Sequence, residues 1–155
     1  LTRVVVNVGV GRQNKDKAFI DNVVGSLTRI TGQKPILTKA KKAISAFKIR
    51  EGLIIGVAVT LRGARMYDFI EKMVNVSFPR IRDFRGINDK QVDRTGNLTI
   101  GFRENLSFPE IRADEVDKIH GLEVCIATTA KTREEGLEFF RLIGFPFKQE
   151  EEKKK

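Results

Sequence analysis

Large apolar residues alternate with small or polar residues in four short segments of the chain. Strict alternation of this kind is typical of β-strands that bury one face and expose the other. The predicted strands cover residues 3–8, 53–62, 97–102 and 122–128. The second face of these strands carries Asn7, Gly56, Ala58, Thr60, Arg62, Thr99 and Gly101. The pattern therefore predicts a sheet with one apolar face and one face that lacks bulky side chains.

Three further segments have apolar residues at helical spacing. The predicted helices cover about residues 15–30, 65–76 and 132–144. Gly32, Pro79 and Gly144 stand at or beyond their ends, and both residue types commonly terminate helices. Thr132 and Glu135 have the spacing of a capping box, so each side chain is expected to bond the backbone N–H of the other residue.

One-sided strands predict an antiparallel or mixed sheet, because a doubly wound parallel sheet buries both of its faces. The expected fold is therefore α+β, with helices packed on one face of the sheet and the other face open. The 155 residues suffice for one sizeable core, and no internal repeat divides them. We expect a single domain over residues 1–148, followed by a charged tail over residues 149–155.

Charge is distributed unevenly along the chain. There are 29 Lys and Arg residues against 20 Asp and Glu, which gives a net charge of +9. No acidic residue occurs between Asn22 and Arg50, and residues 33–50 are interpreted as a basic, partly irregular connection. The cations of this stretch are Arg29, Lys34, Lys39, Lys41, Lys42, Lys48 and Arg50. A charge run is usually only solvated, but an uncompensated run in so basic a chain favours contact with phosphates.

The open face of the sheet has two interpretations. The simpler one is that small and polar side chains face water, which is the usual fate of such a surface. The alternative is that RNA lies flat against it, because small side chains allow close approach and Asn, Thr and Arg can bond phosphate and sugar. No aromatic residue is predicted on this face, so recognition of shape and backbone is expected rather than base stacking. A membrane is the weaker alternative partner, since no apolar run is long enough to span a bilayer.

Few residues offer enzymatic chemistry. Gly9, Val10 and Gly11 lie between a strand and a helix, but the sixth position of a dinucleotide fingerprint is Asn14 rather than Gly. A tight turn is therefore favoured over a nucleotide-binding loop. His120 is the only histidine, has no partner at metal-ligand spacing, and is interpreted as a turn residue.

Two other candidate groups are also explained without catalysis. Cys125 is expected to be a small packing residue within a strand, and a single cysteine is typical of a reducing compartment. The acids Asp114, Glu115 and Asp117 are interpreted as a solvated surface rather than as an acid–base pair. We expect no catalytic residue, no metal and no cofactor. A nucleotide-dependent enzyme and a free RNA chaperone or regulator are kept as competing hypotheses.

Several longer motifs resemble the bacterial-type ribosomal protein L5 family. They are NVGVG at 7–11, ITGQKP at 30–35, TKAKK at 38–42, FKIREG at 47–52, VTLRG at 59–63, FPRIRDFRG at 78–86, FPE at 108–110 and TTAKT at 128–132. The resemblance covers the chain up to Phe147, and motifs of this length in this order are highly specific. It implies a structural constituent of the large ribosomal subunit that binds 5S rRNA in the central protuberance.

The resemblance also implies particular contacts. Members of the family contact the elbow of the P-site tRNA, a protein of the small-subunit head, 23S-type rRNA and other central-protuberance proteins, within the ribosome of a bacterium or organelle. The expected 5S rRNA contacts are Asn7, Gln33 and Thr60, together with Lys34 and Arg62. The expected tRNA- or rRNA-facing loop carries Thr38, Lys39, Lys41, Lys42, Ser45, Phe47 and Lys48. The family's helical segment before the first strand is not in this sequence, which begins at Leu1, and we expect that preceding residues exist.

Overall fold

The computed structural model describes residues 1–11, 16–40, 52–81, 84–111 and 119–148. Its centre is a five-stranded sheet in the order β2-β3-β1-β5-β4, in which every neighbouring pair of strands is antiparallel. The strands are β1 (Arg3–Gly9), β2 (Ile36–Lys39), β3 (Ile54–Leu61), β4 (Leu98–Phe102) and β5 (Leu122–Ala127). The helices are α1 (Lys17–Thr31), α2 (Gly63–Lys72) and α3 (Arg133–Leu142). The predicted α+β class is confirmed.

The apolar face of the sheet forms the core, as the alternation predicts. Val4, Val6 and Val8 of β1 are buried, and every second residue of β4 and β5 is buried in the same way. Helix α1 contacts β3 and helix α2 contacts β1, so both helices cover this face. Burial of such side chains is the main favourable term in folding. The opposite face of the sheet is therefore the one left for other contacts.

The first helix lies close to its predicted position. The Asp16 side chain accepts a hydrogen bond from the backbone N–H of Phe19, which caps the start of α1. The helix ends at Gly32, whose φ of 73° lies in the left-handed region, where glycine carries no Cβ penalty. Its buried residues are Ile20, Val23, Ser26, Leu27 and Ile30.

The second helix continues further than predicted. After α2 the chain forms a π-helical turn over Met73–Ser77 and a short 3-10 turn over Phe78–Arg80. The backbone N–H of Phe78 bonds the carbonyl of Met73, five residues earlier. Because Pro79 has no N–H, it cannot supply the next α-helical bond, and the backbone changes its hydrogen-bond pattern there. Helical backbone therefore runs through Pro79 to Arg80, beyond the end that the sequence predicts.

The third helix has half of the predicted capping box. The Thr132 hydroxyl accepts from the backbone N–H of Glu135 at 3.2 Å. The Glu135 carboxylate, however, accepts from the backbone N–H of Lys131 at 3.0 Å and not from that of Thr132. Gly144 follows α3 with a φ of 99°. No helix in the described parts of the chain is long and apolar enough to cross a membrane.

Strand β2 was not predicted. It lies in the segment interpreted as an irregular connection, and it pairs Leu37 with Val57 and Thr38 with Gly56 at the edge of the sheet. Four residues are too few to show a clear alternation, and Ile36 and Leu37 are both exposed although they point to opposite faces. The rest of this segment, residues 41–50, lies outside the described residues, as do residues 149–155 of the charged tail.

Candidate nucleic-acid interface

The sheet face directed away from α1 and α2 will be called the polar face. Residues paired across antiparallel strands place their side chains on the same face. One row across the sheet joins Thr60, Val5, Cys125 and Thr99, and the next joins Ile36, Ala58, Asn7, Glu123 and Gly101. Thr38 and Gly56 continue the face toward its end. The predicted membership of Asn7, Gly56, Ala58, Thr60, Thr99 and Gly101 is therefore confirmed, whereas Arg62 lies beyond the end of β3 and is not part of a row.

Asn7 and Thr38 converge over Gly56 on this face. A Cβ built on Gly56 would lie 2.6 Å from the Thr38 Oγ1 and 3.3 Å from the Asn7 Oδ1. The glycine thus makes room for two polar side chains that come from the strands on either side of it. A hydroxyl and a carboxamide are brought together in a shallow, half-buried position. Both groups can donate and accept hydrogen bonds.

Gln33 and Thr60 are joined at the edge of the sheet. Strand β2 begins only at Ile36, so the carbonyl of Thr60 has no strand partner on that side, and the Gln33 Nε2 donates to it at 3.0 Å. The Gln33 Oε1 accepts from the Arg65 Nη1 at 3.5 Å. The Gln33 side chain is therefore held in place while its second amide hydrogen stays available. The structure brings together two of the residues that the resemblance selected from distant parts of the sequence.

Basic side chains surround this part of the sheet. Arg3 lies on β1, Lys34 follows Gln33, Lys39 ends β2, and Arg62 precedes α2, and all four residues are exposed. Arg62 makes no side-chain cap to α2, so its guanidinium is not committed to that helix end. Thr38 of the predicted tRNA- or rRNA-facing loop lies in β2. The remaining loop residues, Lys41, Lys42, Ser45, Phe47 and Lys48, lie outside the described residues.

The sequence predicts Cys125 as a small packing residue within a strand, and it assigns no role on the polar face to Cys125 or to Glu123. Glu123 is exposed and pairs with Asn7 on one side and Gly101 on the other. The Cys125 thiol donates to the Glu123 Oε1 at 3.3 Å and accepts from the Thr99 hydroxyl at 3.8 Å. Burial raises the pKa of the Cys125 thiol, and the bond to Glu123 raises it further. The cysteine is thus a protonated donor and not a reactive thiolate.

The other chemical candidates do not form a second site in the described regions. His120 lies in the connection before β5, as predicted, but its ring is buried, and burial lowers its pKa. Asp114, Glu115 and Asp117 lie outside the described residues. Within the described ranges, no three His, Cys, Asp or Glu residues are close enough together to hold a metal ion.

Comparison with known proteins gives a consistent result for both halves of the chain. Residues 1–50 match the family model described as "Ribosomal protein L5", and residues 54–147 match the model that describes the C-terminus of the same ribosomal family. The large ribosomal subunit protein uL5 of Heliobacterium modesticaldum is 55% identical over 150 residues, covering 97% of this chain and 83% of the relative.

Two other bacterial relatives carry the same name. The protein from Halothermothrix orenii is 55% identical over 95% of this chain and 82% of its own length. The protein from Renibacterium salmoninarum is 51% identical over 97% of this chain and 78% of its own length. These relatives place the chain in the large ribosomal subunit in the cytoplasm. The chain therefore belongs to the ribosomal protein L5 family and is a structural protein of the large ribosomal subunit, not an enzyme.

Proposed function

We propose that the polar face binds 5S rRNA in the central protuberance of the large subunit. The observation that carries this proposal is the convergence of Asn7 and Thr38 over Gly56, next to the bonded pair Gln33 and Thr60. Neighbouring strands thus present amide and hydroxyl groups around the small residues Gly56 and Ala58, with Val5 and Ile36 as the larger side chains of the same rows. Such a surface can approach the minor groove of an RNA helix, where ribose 2′-hydroxyls and phosphates are displayed.

The polar groups on this face are held before RNA arrives. Gln33 is bonded on both ends of its amide, by the Thr60 carbonyl and the Arg65 guanidinium. Thr60 itself is held in β3 by pairing with Val5 of β1. Binding therefore has to immobilise few rotamers, which reduces the entropic cost of association. Hydrogen bonds of these groups to ribose and phosphate position the RNA without reading its sequence.

Electrostatic attraction adds to this contact. The exposed cations Arg3, Lys34 and Arg62 border the Gln33–Thr60 side of the polar face. Each cation that neutralises a phosphate releases a bound counterion, so the affinity falls as the salt concentration rises. The uncharged residues change affinity without changing that salt dependence. The two contributions can therefore be separated by titration at several salt concentrations.

The loop from Thr38 to Lys48 is proposed to reach the elbow of the P-site tRNA. Its predicted cations Lys41, Lys42 and Lys48 supply phosphate contacts in a segment without acids. Contacts with a small-subunit head protein, with 23S-type rRNA and with other proteins of the central protuberance complete the proposed role. Residues 1–148 are proposed to act in it as one domain, and the tail is assigned no part.

The Thr60→Ala variant tests the proposed face. The change removes the hydroxyl and the γ-methyl group of the side chain, but the bond from Gln33 is retained because it goes to the backbone carbonyl of Thr60. If the RNA group that bonds this hydroxyl is left buried without a partner, the binding free energy should be less favourable by about 1–3 kcal/mol, which corresponds to roughly 5- to 150-fold weaker binding. Filter binding to 5S rRNA at several salt concentrations should show this loss with an unchanged salt slope.

The matched control is Thr28→Ala on α1, whose hydroxyl bonds the carbonyl of Val24 on an exposed helix surface. It should bind 5S rRNA like the parent protein. Lys41→Ala should also leave binding to isolated 5S rRNA nearly intact, because Lys41 is proposed to contact the P-site tRNA. Unchanged affinity of Thr60→Ala for 5S rRNA would refute the proposal that the polar face binds this RNA. Equal competition by tRNA and unrelated RNA would instead favour a general RNA chaperone or regulator.

A further inference from the structure

Glu123 is the one carboxylate among the described residues of the polar face. It lies in the same row as Asn7, directly across from it in the pairing of β1 and β5. Opposite residues in such a pair have Cβ atoms roughly 5 Å apart. RNA that contacts Asn7 therefore also meets Glu123. An acid at this position is unexpected for a surface that binds a polyanion.

The protein itself does not neutralise this charge within the described residues. No Lys or Arg of the described ranges forms an ion pair with Glu123, whose cross-strand neighbours are Asn7 and Gly101. Among the described residues, the one hydrogen bond to its carboxylate comes from the neutral thiol of Cys125, at 3.3 Å to Oε1. This bond restrains the carboxylate and still leaves acceptor positions on both oxygens.

The surface beside Glu123 is open to a ligand. A Cβ built on Gly101 would meet no heavy atom within 4 Å. Gly101 is exposed and the neighbouring side of Glu123 carries no bulky side chain. A planar group can therefore lie over β4 and direct its edge at the carboxylate.

A phosphate is disfavoured as that group, because two like charges about 4 Å apart repel each other by roughly 1 kcal/mol in water and by more near a protein surface. The carboxylate accepts hydrogen bonds only, so its RNA partner has to be a donor. RNA offers donors on base edges and at the 2′-hydroxyl. The Watson–Crick edge of guanine carries two adjacent N–H donors, which match the two oxygens of a carboxylate.

We propose that Glu123 is a specificity-determining residue that accepts hydrogen bonds from the Watson–Crick edge of an unpaired guanine. This inference rests on the proposed function, because it requires RNA on the polar face. It adds base recognition to a surface whose other polar groups bond the RNA backbone. The contact is charge-assisted, which makes it stronger than a bond between neutral groups.

The Glu123→Gln variant separates this role from simple repulsion. Gln keeps the size of the side chain but replaces one acceptor oxygen with an N–H₂ group, which opposes a guanine donor. We expect roughly 10- to 100-fold weaker binding to 5S rRNA with an unchanged salt slope. Equal or tighter binding would overturn the proposal, because it would mean that the carboxylate is only tolerated. Glu138→Gln on the exposed side of α3 is the matched control and should bind normally.

Interference mapping with inosine identifies the base. Inosine lacks the 2-amino group of guanine, so 5S rRNA substituted at single guanines should bind the parent protein less well at one or a few positions. The same positions should show no interference with Glu123→Gln. Identical interference patterns for both proteins would refute the contact. A loss in Glu123→Gln that disappears at low Mg²⁺ would also refute it, in favour of a bridging cation.

The outcomes also distinguish this inference from the proposed function. Weaker binding by Thr60→Ala combined with normal binding by Glu123→Gln would retain the polar face and reject the guanine contact. Normal binding by both variants would reject the polar face itself. Circular dichroism spectra of both variants should match that of the parent protein, because neither residue is part of the core.

Discussion

Helix α3 approaches the turn before β4 so closely that a single methyl group should disturb the fold. A Cβ built on Gly136 of α3 would lie 2.5 Å from the Gly96 Cα and 2.6 Å from its carbonyl oxygen. Gly96 cannot yield easily, since its φ is 85° and its own Cβ position is blocked by Ala130 and Thr132. The Gly136→Ala substitution should therefore force the helix away from the turn.

The size of the effect follows from two opposing contributions. Alanine is favoured over glycine in a helix interior by about 1 kcal/mol. The new contact, however, would be 0.9 Å shorter than the 3.4 Å lower limit of an ordinary contact, given the distance of 2.5 Å. Overpacking of this kind costs about 1–3 kcal/mol, and backbone atoms on both sides place it in the upper part of that range. We expect Gly136→Ala to lower the free energy of unfolding by about 1–2 kcal/mol.

Gly25→Ala is the matched control, because it makes the same change in the interior of α1. A Cβ on Gly25 would meet nothing within 4 Å, so only the gain in helix preference applies. This variant should be more stable by about 0.5–1 kcal/mol. Urea unfolding monitored by circular dichroism gives both values, and the slope against urea should stay unchanged. The melting temperature should shift by about 2–4 °C per kcal/mol for a chain of this size.

Opposite signs for the two variants are the decisive result. If Gly136→Ala stabilised the protein as much as Gly25→Ala does, α3 would not pack against Gly96. A loss in both variants would contradict the open surroundings of Gly25.

Two further predictions concern pH. The pKa of Asp93 is lowered, chiefly by the hydrogen bond from the backbone N–H of Asn97 and also by those from Thr95. The stability that this carboxylate contributes should therefore be present above pH 3.8, and it should disappear as the pH falls through the lowered pKa. The difference in unfolding free energy between the parent protein and Asp93→Asn should shrink over that range, and a constant difference would contradict it. Burial lowers the pKa of His120. Below pH 6.5 the unfolded chain should therefore bind a proton at His120 more readily than the folded protein does, and the free energy of unfolding should fall as the pH drops through this region. His120→Gln should flatten that part of the curve, and an unchanged curve would show that another group titrates there.

Much of the sheet could be predicted from local pattern. Val4, Val6 and Val8 alternate with Asn7 and its neighbours, and the period of two directly assigns the residues to opposite faces. The same reasoning failed for β2, where four residues at a sheet edge follow no visible alternation. It also failed at Glu135, whose carboxylate bonds the backbone N–H of Lys131 instead of the predicted N–H of Thr132.

Part of the candidate interface could also be predicted from the alternation along the strands. The strand pattern placed Asn7 and Thr60 on one face, and the resemblance added Gln33. Nothing in the local sequence indicated that the Gln33 amide bonds the Thr60 carbonyl, since the two residues are 27 positions apart and meet only because β2 begins late.

The sequence by itself determined the class of the fold, the buried face of each long strand, the basic character of the chain and the family to which it belongs. These properties depend on residue identity and short-range periodicity, which folding does not alter. The tertiary structure alone decided which strands are neighbours, and hence that Glu123 faces Asn7 and that Thr38 and Asn7 meet over Gly56. Strand order depends on long-range packing free energy, which no local pattern contains.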